Sequence, residues 1–186
     1  MTRRALPALL LLAACSRPPE PLPRYQTIPG FTLTAEDGRT FASERELRGK
    51  VWVADFFYTT CNGPCPRMSR LMKTVAGATS GLPNVRYVSF TVDPEHDTPQ
   101  QLAAYARRYA AGTQRWSFLT GPREQLHALK REAFTLGDVD GSLNHSTRFV
   151  LVDARGVVRG FYGTADDGDV PKLIADIKQL AGEPAP

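Results

Sequence analysis

The chain has 186 residues, 42% hydrophobic and 23% charged, a globular composition with room for one domain, which excludes a wholly disordered protein. The formal net charge is +4, but Arg3 and Arg4 fall in a leader and the remaining surplus is too weak to point to nucleic acid. Three Cys and three His exclude a cysteine-rich scaffold or a multi-zinc protein. Any soft-metal site must therefore be drawn from Cys15, Cys61, Cys65, His96, His127 and His145.

Residues 1–14 read as an export signal: Arg3 and Arg4, then the apolar stretch Ala5 to Ala14. As a helix that stretch spans about 15 Å, half of a bilayer core, so a lasting transmembrane anchor is not expected. The ending Leu12-Ala13-Ala14-Cys15 resembles a bacterial lipobox, in which the chain is cut before the Cys and that Cys carries the lipid. An ordinary signal peptide with a chance Cys is the alternative; lipidation is preferred because an odd Cys in an exported chain needs an account. Residues 15–27 form a Pro-rich tether, with four Pro between Ser16 and Arg24; it is expected to be extended and semi-rigid, holding the domain up to about 30 Å from the lipid. The expected location is the extracytoplasmic face of a bacterial membrane.

The domain proper is expected over 28–182, with a short tail at 183–186. Phe31–Leu33 and Thr40–Phe41 flank Glu36-Asp37-Gly38 as a short hairpin. Val51 to Tyr58 is a nearly continuous apolar, β-rich run, the mark of a central buried strand. A tight loop follows from Cys61, and Pro66 suits the first turn of a helix to about Ala78. Val85–Val92 is the next strand, and Thr98 with Gln101 forms a capping box opening a helix to Tyr109. Trp116–Leu119 reads as a strand and Pro122–Phe134 as one helix. Arg148–Val152 and Val157–Tyr162 read as strands joined by Asp153-Ala154-Arg155-Gly156, and Asp169–Leu180 as an amphipathic helix. This order fits an α/β, thioredoxin-like mixed sheet flanked by helices, with an added N-terminal hairpin.

Cys61-Asn62-Gly63-Pro64-Cys65-Pro66 falls where the buried strand hands over to a helix N-terminus. Free N–H groups and the helix dipole there favour anionic sulfur, so both thiols are expected to ionise more readily than a free Cys. The pair could close a disulfide or grip one soft metal ion. A structural disulfide is a real alternative in an exported protein, but so short a ring constrains little chain, which favours a functional dithiol. Two sulfurs leave a metal under-coordinated. His127 lies within a helical pattern and His96 in a polar turn after Asp93-Pro94-Glu95, both ordinary surroundings for a histidine. His145 stands in a loop just before the strand Arg148–Val152, where a thioredoxin-like fold would bring it to the dithiol; from the residues alone, ligand and plain loop histidine remain equally open. Asp138-Val139-Asp140-Gly141 lacks the Gly position and closing Glu of a calcium loop and reads as a turn. Asp55, on the buried strand, reads as a hydrogen-bonded structural carboxylate, with help to thiol ionisation as the alternative.

Four blocks in the same order carry a resemblance: Asp55-Phe56-Phe57-Tyr58-Thr59-Thr60-Cys61 through Cys65-Pro66; Thr91-Val92-Asp93-Pro94-Glu95-His96-Asp97-Thr98-Pro99; Trp116-Ser117-Phe118-Leu119-Thr120-Gly121; and His145-Ser146 before a β-run. Together, from about Ile28 to Leu180, the sequence resembles the Sco/SenC family of copper chaperones for respiratory oxidase assembly. The resemblance implies that Cys61, Cys65 and His145 bind copper. It departs from many relatives at Asn62-Gly63-Pro64 and at Asn144, which are expected to tune affinity and redox behaviour. Two thiolates suit Cu(I), and an added imidazole gives a Cys2His set that tolerates Cu(II). Zinc is the rival, but this set falls short of a closed four-ligand site. Ser146-Thr147 stands where thioredoxin-type oxidoreductases carry a cis-proline.

These residues support two functions. One is a membrane-tethered metallochaperone, not an enzyme, delivering copper to the dinuclear copper centre of a cytochrome c oxidase subunit; its own copper donor is not legible. The other is a thiol–disulfide oxidoreductase, with Cys61 and Cys65 as the redox pair, that reduces the oxidase's copper-binding cysteines. Only the first needs His145. A peroxidase is a distant third, since no Arg-partnered Cys pattern is evident.

Overall fold

The run Val51–Phe57 forms strand β3, and all seven of its residues are buried. Alternate side chains point to opposite faces, so Val53 and Phe57 enter one core while Trp52, Ala54 and Phe56 enter another. A strand covered on both faces can be apolar throughout, which is why this run does not alternate. The computed structural model describes residues 20–110, 115–135, 146–165 and 169–183.

Around β3 the sheet is assembled from β1 (Thr32–Ala35), β2 (Thr40–Ala42), β4 (Val85–Thr91), β5 (Trp116–Thr120), β6 (Arg148–Val152) and β7 (Val158–Gly163), in the order β2-β1-β5-β4-β3-β6-β7. β3, β4 and β5 are parallel, while the hairpin β1–β2 and the strands β6 and β7 add antiparallel edges. The helices α2 (Cys65–Ala78), α3 (Pro99–Tyr109) and α5 (Asp169–Ala181) supply Met68, Met72, Leu102, Leu173 and Ile177 to the first core. On the other face Phe31, Phe90, Leu126 and Phe134 pack against Trp52 and Phe56. The mixed sheet between helices and the added N-terminal hairpin are the thioredoxin-like architecture expected.

Three local differences have physical causes. A single helical turn, α1 (Ser43–Glu46), follows β2; one turn is too short to show a periodicity. Ser43 Oγ accepts the Phe31 N–H at 2.9 Å, which fixes the turn to the start of the hairpin. The helix expected over Pro122–Phe134 is α4 (Arg123–Ala128), which widens into a π turn over Leu129–Ala133. There the Phe134 N–H reaches five residues back to Leu129 O at 2.9 Å. Widening the turn lets Leu129, Lys130, Ala133 and Phe134 all be buried. Finally, α2 opens at Cys65, with Pro64 as its N-cap residue, so the second thiol belongs to the first turn of the helix.

The N-terminal segment lies against the outer edge of β7. Tyr25 N–H donates to Val158 O and the Val158 N–H to Gln26 O, each at 2.9 Å, and Thr27 bridges Val157. Arg159, 4% exposed, donates to Pro23 O and Leu22 O and pairs with Asp153 at 2.9 Å. No helix among the described residues is long and apolar enough to cross a membrane.

Candidate metal centre

β3 ends at Phe57, and the chain turns through Tyr58 to Pro64 before entering α2. The Cys61 N–H donates to Tyr58 O at 3.3 Å and the Met68 N–H to Pro64 O at 2.9 Å, closing the loop onto the helix. Both Cys61 and Cys65 are thiols and both are buried, Cys65 completely and Cys61 at 6% exposure.

The two sulfurs differ electrostatically. Burial pushes the Cys61 thiol up, but hydrogen bonds from the Cys65 side chain, from the Cys65 and Gly63 N–H groups and from the Tyr58 hydroxyl outweigh it and hold the pKa below the ordinary thiol value. Cys65 goes the other way. Burial raises its pKa, its hydrogen bond to Cys61 raises it further, and the Tyr58 N–H offsets only part. The expectation that helix start and dipole would lower both thiols therefore fails for Cys65, because complete desolvation outweighs the dipole there. Tyr58 is the partner that sequence reasoning passed over. Burial and its bond to Cys61 keep its own hydroxyl protonated above the usual range.

Asp55 lies beneath this loop on β3, 1% exposed. It accepts from Ser89 Oγ at 2.5 Å, and Ser89 Oγ in turn accepts the Trp116 Nε1–H at 2.9 Å. Burial pushes its carboxyl up to about 7, with the Ser89 bond pulling back. Asp55 is thus a hydrogen-bonded structural carboxylate, and its negative charge adds to the forces that raise Cys65.

The loop after β4 braces the dithiol loop from the side. Asp97, fully buried, accepts the Thr59 N–H at 3.0 Å, the Thr59 and Thr91 hydroxyls, and an approach from His96 Nδ1 at 3.1 Å. The block Thr91–Pro99 is therefore structural support for the approach to Cys61; nothing in its sequence marks Asp97 as the partner of Thr59. His96, read as a solvated turn residue, is half-exposed but tied to Asp97 and lies 3.4 Å from Thr59 Oγ1. Asp93, His96 and Asp97 bring ligand atoms within 4.8 Å of one another, yet both oxygens of Asp97 are already engaged by protein donors. His127 sits in α4, half-buried and with burial lowering its pKa. His145, the turn Asp138–Gly141, Cys15 and the leader lie outside the described residues. Ser146 and Thr147 are within them, and Thr147 O accepts both the Thr164 N–H at 2.9 Å and its hydroxyl at 2.8 Å.

A buried parallel strand followed by one Cys in the loop and a second in the first turn of the next helix defines a thioredoxin-like dithiol protein. Similarity to known proteins narrows that class. Residues 19–182 match the SCO1/SenC family, and the chain belongs to it. It is 32% identical to the SCO1 protein homolog of Bacillus subtilis, covering 92% of each chain. Among solved structures, a SCO1/SenC family lipoprotein from Bacillus anthracis superposes with TM-score 0.76 at 32% identity, over 83% of this chain and 95% of that one. BsSco, described as a member of the Sco family of cytochrome c oxidase assembly proteins with a disulfide switch, gives 0.76 at 29% identity, over 89% and 100%. Bradyrhizobium japonicum ScoI with copper bound gives 0.67 over 83% and 99%, a likeness of fold at 22% identity.

Proposed function

We propose that this protein is a copper metallochaperone of an exported, lipid-anchored kind, carrying copper on Cys61, Cys65 and His145 to the copper-bearing subunit of a cytochrome c oxidase. The donor set fits a soft ion. Cys61 is held toward the thiolate and Cys65 lies in hydrogen-bond contact with it, so one metal can meet both sulfurs, with the Cys65 proton released on binding. Copper is cargo, so the site must also let go; a thiolate pair permits that by exchange with the thiolates of a partner.

The observation that carries the third ligand is register. β6 runs antiparallel to β3 with Ala54 opposite Val150 and Val53 opposite Leu151. Extended beyond the ladder, the same register would set Ser146 level with Tyr58, on the side of β3 away from β4, which supports His145, its neighbour in the chain, as the third ligand. Oxidase assembly and copper binding in the described relatives support the client and the cargo, and the leader ending in Leu12-Ala13-Ala14-Cys15 supports the anchor.

The second reading, a thiol–disulfide oxidoreductase acting on the oxidase's cysteines, is favoured by the unequal thiols, since one activated sulfur beside a protonated one suits exchange. His145→Ala separates the two. On the chaperone reading it abolishes the Cu(II)–thiolate absorption bands, leaves part of the Cu(I) binding, and fails to restore oxidase assembly. A His145→Ala protein that restores assembly in full while binding no copper would reject the chaperone in favour of the reductase.

A further inference from the structure

β3, β4 and β5 run parallel, so their N-terminal ends share one pole, and Cys61 and Cys65 follow the opposite end of β3. A row of cations crosses that base. Arg115 precedes β5, Arg86 is the second residue of β4, Lys50 precedes β3 and Arg155 lies in the β6–β7 turn. These strands are neighbours in the sheet, and at about 4.8 Å per strand the row is roughly 15 Å long.

The first three of these cations are fixed there by neutral groups. Arg115 donates to Leu82 O and Ser80 O, Arg86 to Pro83 O and Val85 O, and Lys50 to Asn84 Oδ1 at 3.1 Å. Among the described residues none of the four forms an ion pair, whereas three of the acids at this pole do. Asp37 pairs with Arg39, Glu46 with Arg45, and Glu44 lies 3.8 Å from Arg48, while Glu36, which accepts the neutral Phe118 N–H, and Glu20 form none. Four cations without an ion pair against two such acids leave the base with a surplus of positive charge.

The chain reaches the same pole. β7 is parallel to β3, since both run antiparallel to β6, and Leu22 to Gln26 are bound at its first residues through Arg159 and Val158. Glu20 O accepts from Gln179 near the C-terminal end of α5 at 2.9 Å. Only five residue steps separate Glu20 from Cys15, a reach of at most about 18 Å.

We propose that this basic base is a docking surface for an anionic phospholipid bilayer, which holds the dithiol loop at the pole facing away from the lipid. The proposal rests on Cys15 as the anchored residue. A short leash brings the row close to the headgroups, where attraction extends over about 8 Å at physiological salt. β3 alone, seven residues long, spans about 23 Å, so the copper loop stands clear of the surface and open to a partner's copper domain.

The test uses the full mature chain, reconstituted in phosphatidylcholine vesicles with and without phosphatidylglycerol, and pulse-acylated at lysine with site-by-site readout by mass spectrometry. Lys50 is expected to react at least threefold more slowly with phosphatidylglycerol present, while Lys172, near the N-terminal end of α5, is unchanged. The Lys50 difference is expected to vanish at 0.5 M salt and in R48E/R155E, two exposed positions chosen to spare the carbonyl-bound arginines. Should that variant fail to fold, the salt arm carries the test alone. Equal Lys50 rates in the two vesicle types would overturn the proposal. Intact mass of the same sample reports the anchor separately: a Cys15 without lipid rejects the anchor, and the Lys50 ratio on chain added to the vesicles from solution then decides the surface by itself.

Discussion

Cys61 and Cys65 lie four residues apart, one in the loop and one in the first turn of α2, yet the structure lowers the pKa of the first thiol and raises that of the second. The difference comes from the number of donors that reach each sulfur. Cys61 collects two N–H groups, a thiol and a phenol, whereas Cys65 is fully desolvated with an acid beneath it. In the reduced, copper-free protein, iodoacetamide at neutral pH is expected to modify Cys61 about tenfold faster than Cys65, as read by peptide mass spectrometry. Tyr58→Phe removes one donor and is expected to raise the Cys61 pKa, slowing its alkylation severalfold at constant pH. Copper and the disulfide are expected to exclude one another, because a sulfur in an S–S bond has lost the charge a Cu(I) ligand needs. Copper loading should therefore protect both thiols from alkylation, and oxidation should release the metal into a chelator; equal alkylation rates with and without copper would contradict this.

Between elements, the chain Asp55–Ser89–Trp116 links β3, β4 and β5 through side chains as well as through the ladder. Its consequence is a pH dependence of stability. The Asp55 carboxyl titrates at about 7 in the fold and near 3.9 in the unfolded chain, so the folded state holds the proton more tightly. Its contribution is complete below pH 4 and is lost as pH rises through 7, at a cost of up to about 4 kcal/mol. Denaturant unfolding is expected to show stability falling across that window, and Asp55→Asn is expected to flatten the slope while keeping an acceptor for Ser89. A slope unchanged by the substitution would place the dependence elsewhere.

For the whole molecule, Arg159 is the residue that joins distant parts of the chain. Its guanidinium binds Leu22 and Pro23 of the N-terminal segment, pairs with Asp153 at the end of β6 and lies 3.8 Å from Glu183 beyond α5. Removing it takes the ion-pair partner from the buried Asp153, whose Oδ2 then has no donor, and leaves the Leu22 and Pro23 carbonyls without theirs. Arg159→Ala is therefore expected to cost about 3–5 kcal/mol and to lower the melting temperature by roughly 10 °C in calorimetry. Proteolysis between Glu20 and Gln26 should accelerate in parallel, since the segment's other ties are few. Arg159→Lys should recover only part of the loss, because an ammonium cannot serve three separated acceptors in a plane.

The sequence alone determined the features that arise from local chemistry. The buried run Val51–Phe57, the capping residue Thr98 and the turn at Gly156 each announce themselves through composition and backbone preference, and the structure holds strand, helix start and hairpin there. Cys61 and Cys65 are equally legible, because a dithiol at a strand–helix junction is a pattern of neighbours in the chain. Other features belong to tertiary structure. Nothing in Thr59 or Asp97 says that they meet across 38 positions, nor in Asp55 and Trp116 that Ser89 joins them. The unequal thiols are of the same kind: spacing gives both a helix start, but desolvation depends on what packs above them. The burial that sets the two thiols apart comes from strands and helices far apart in sequence, and only their assembly fixes it.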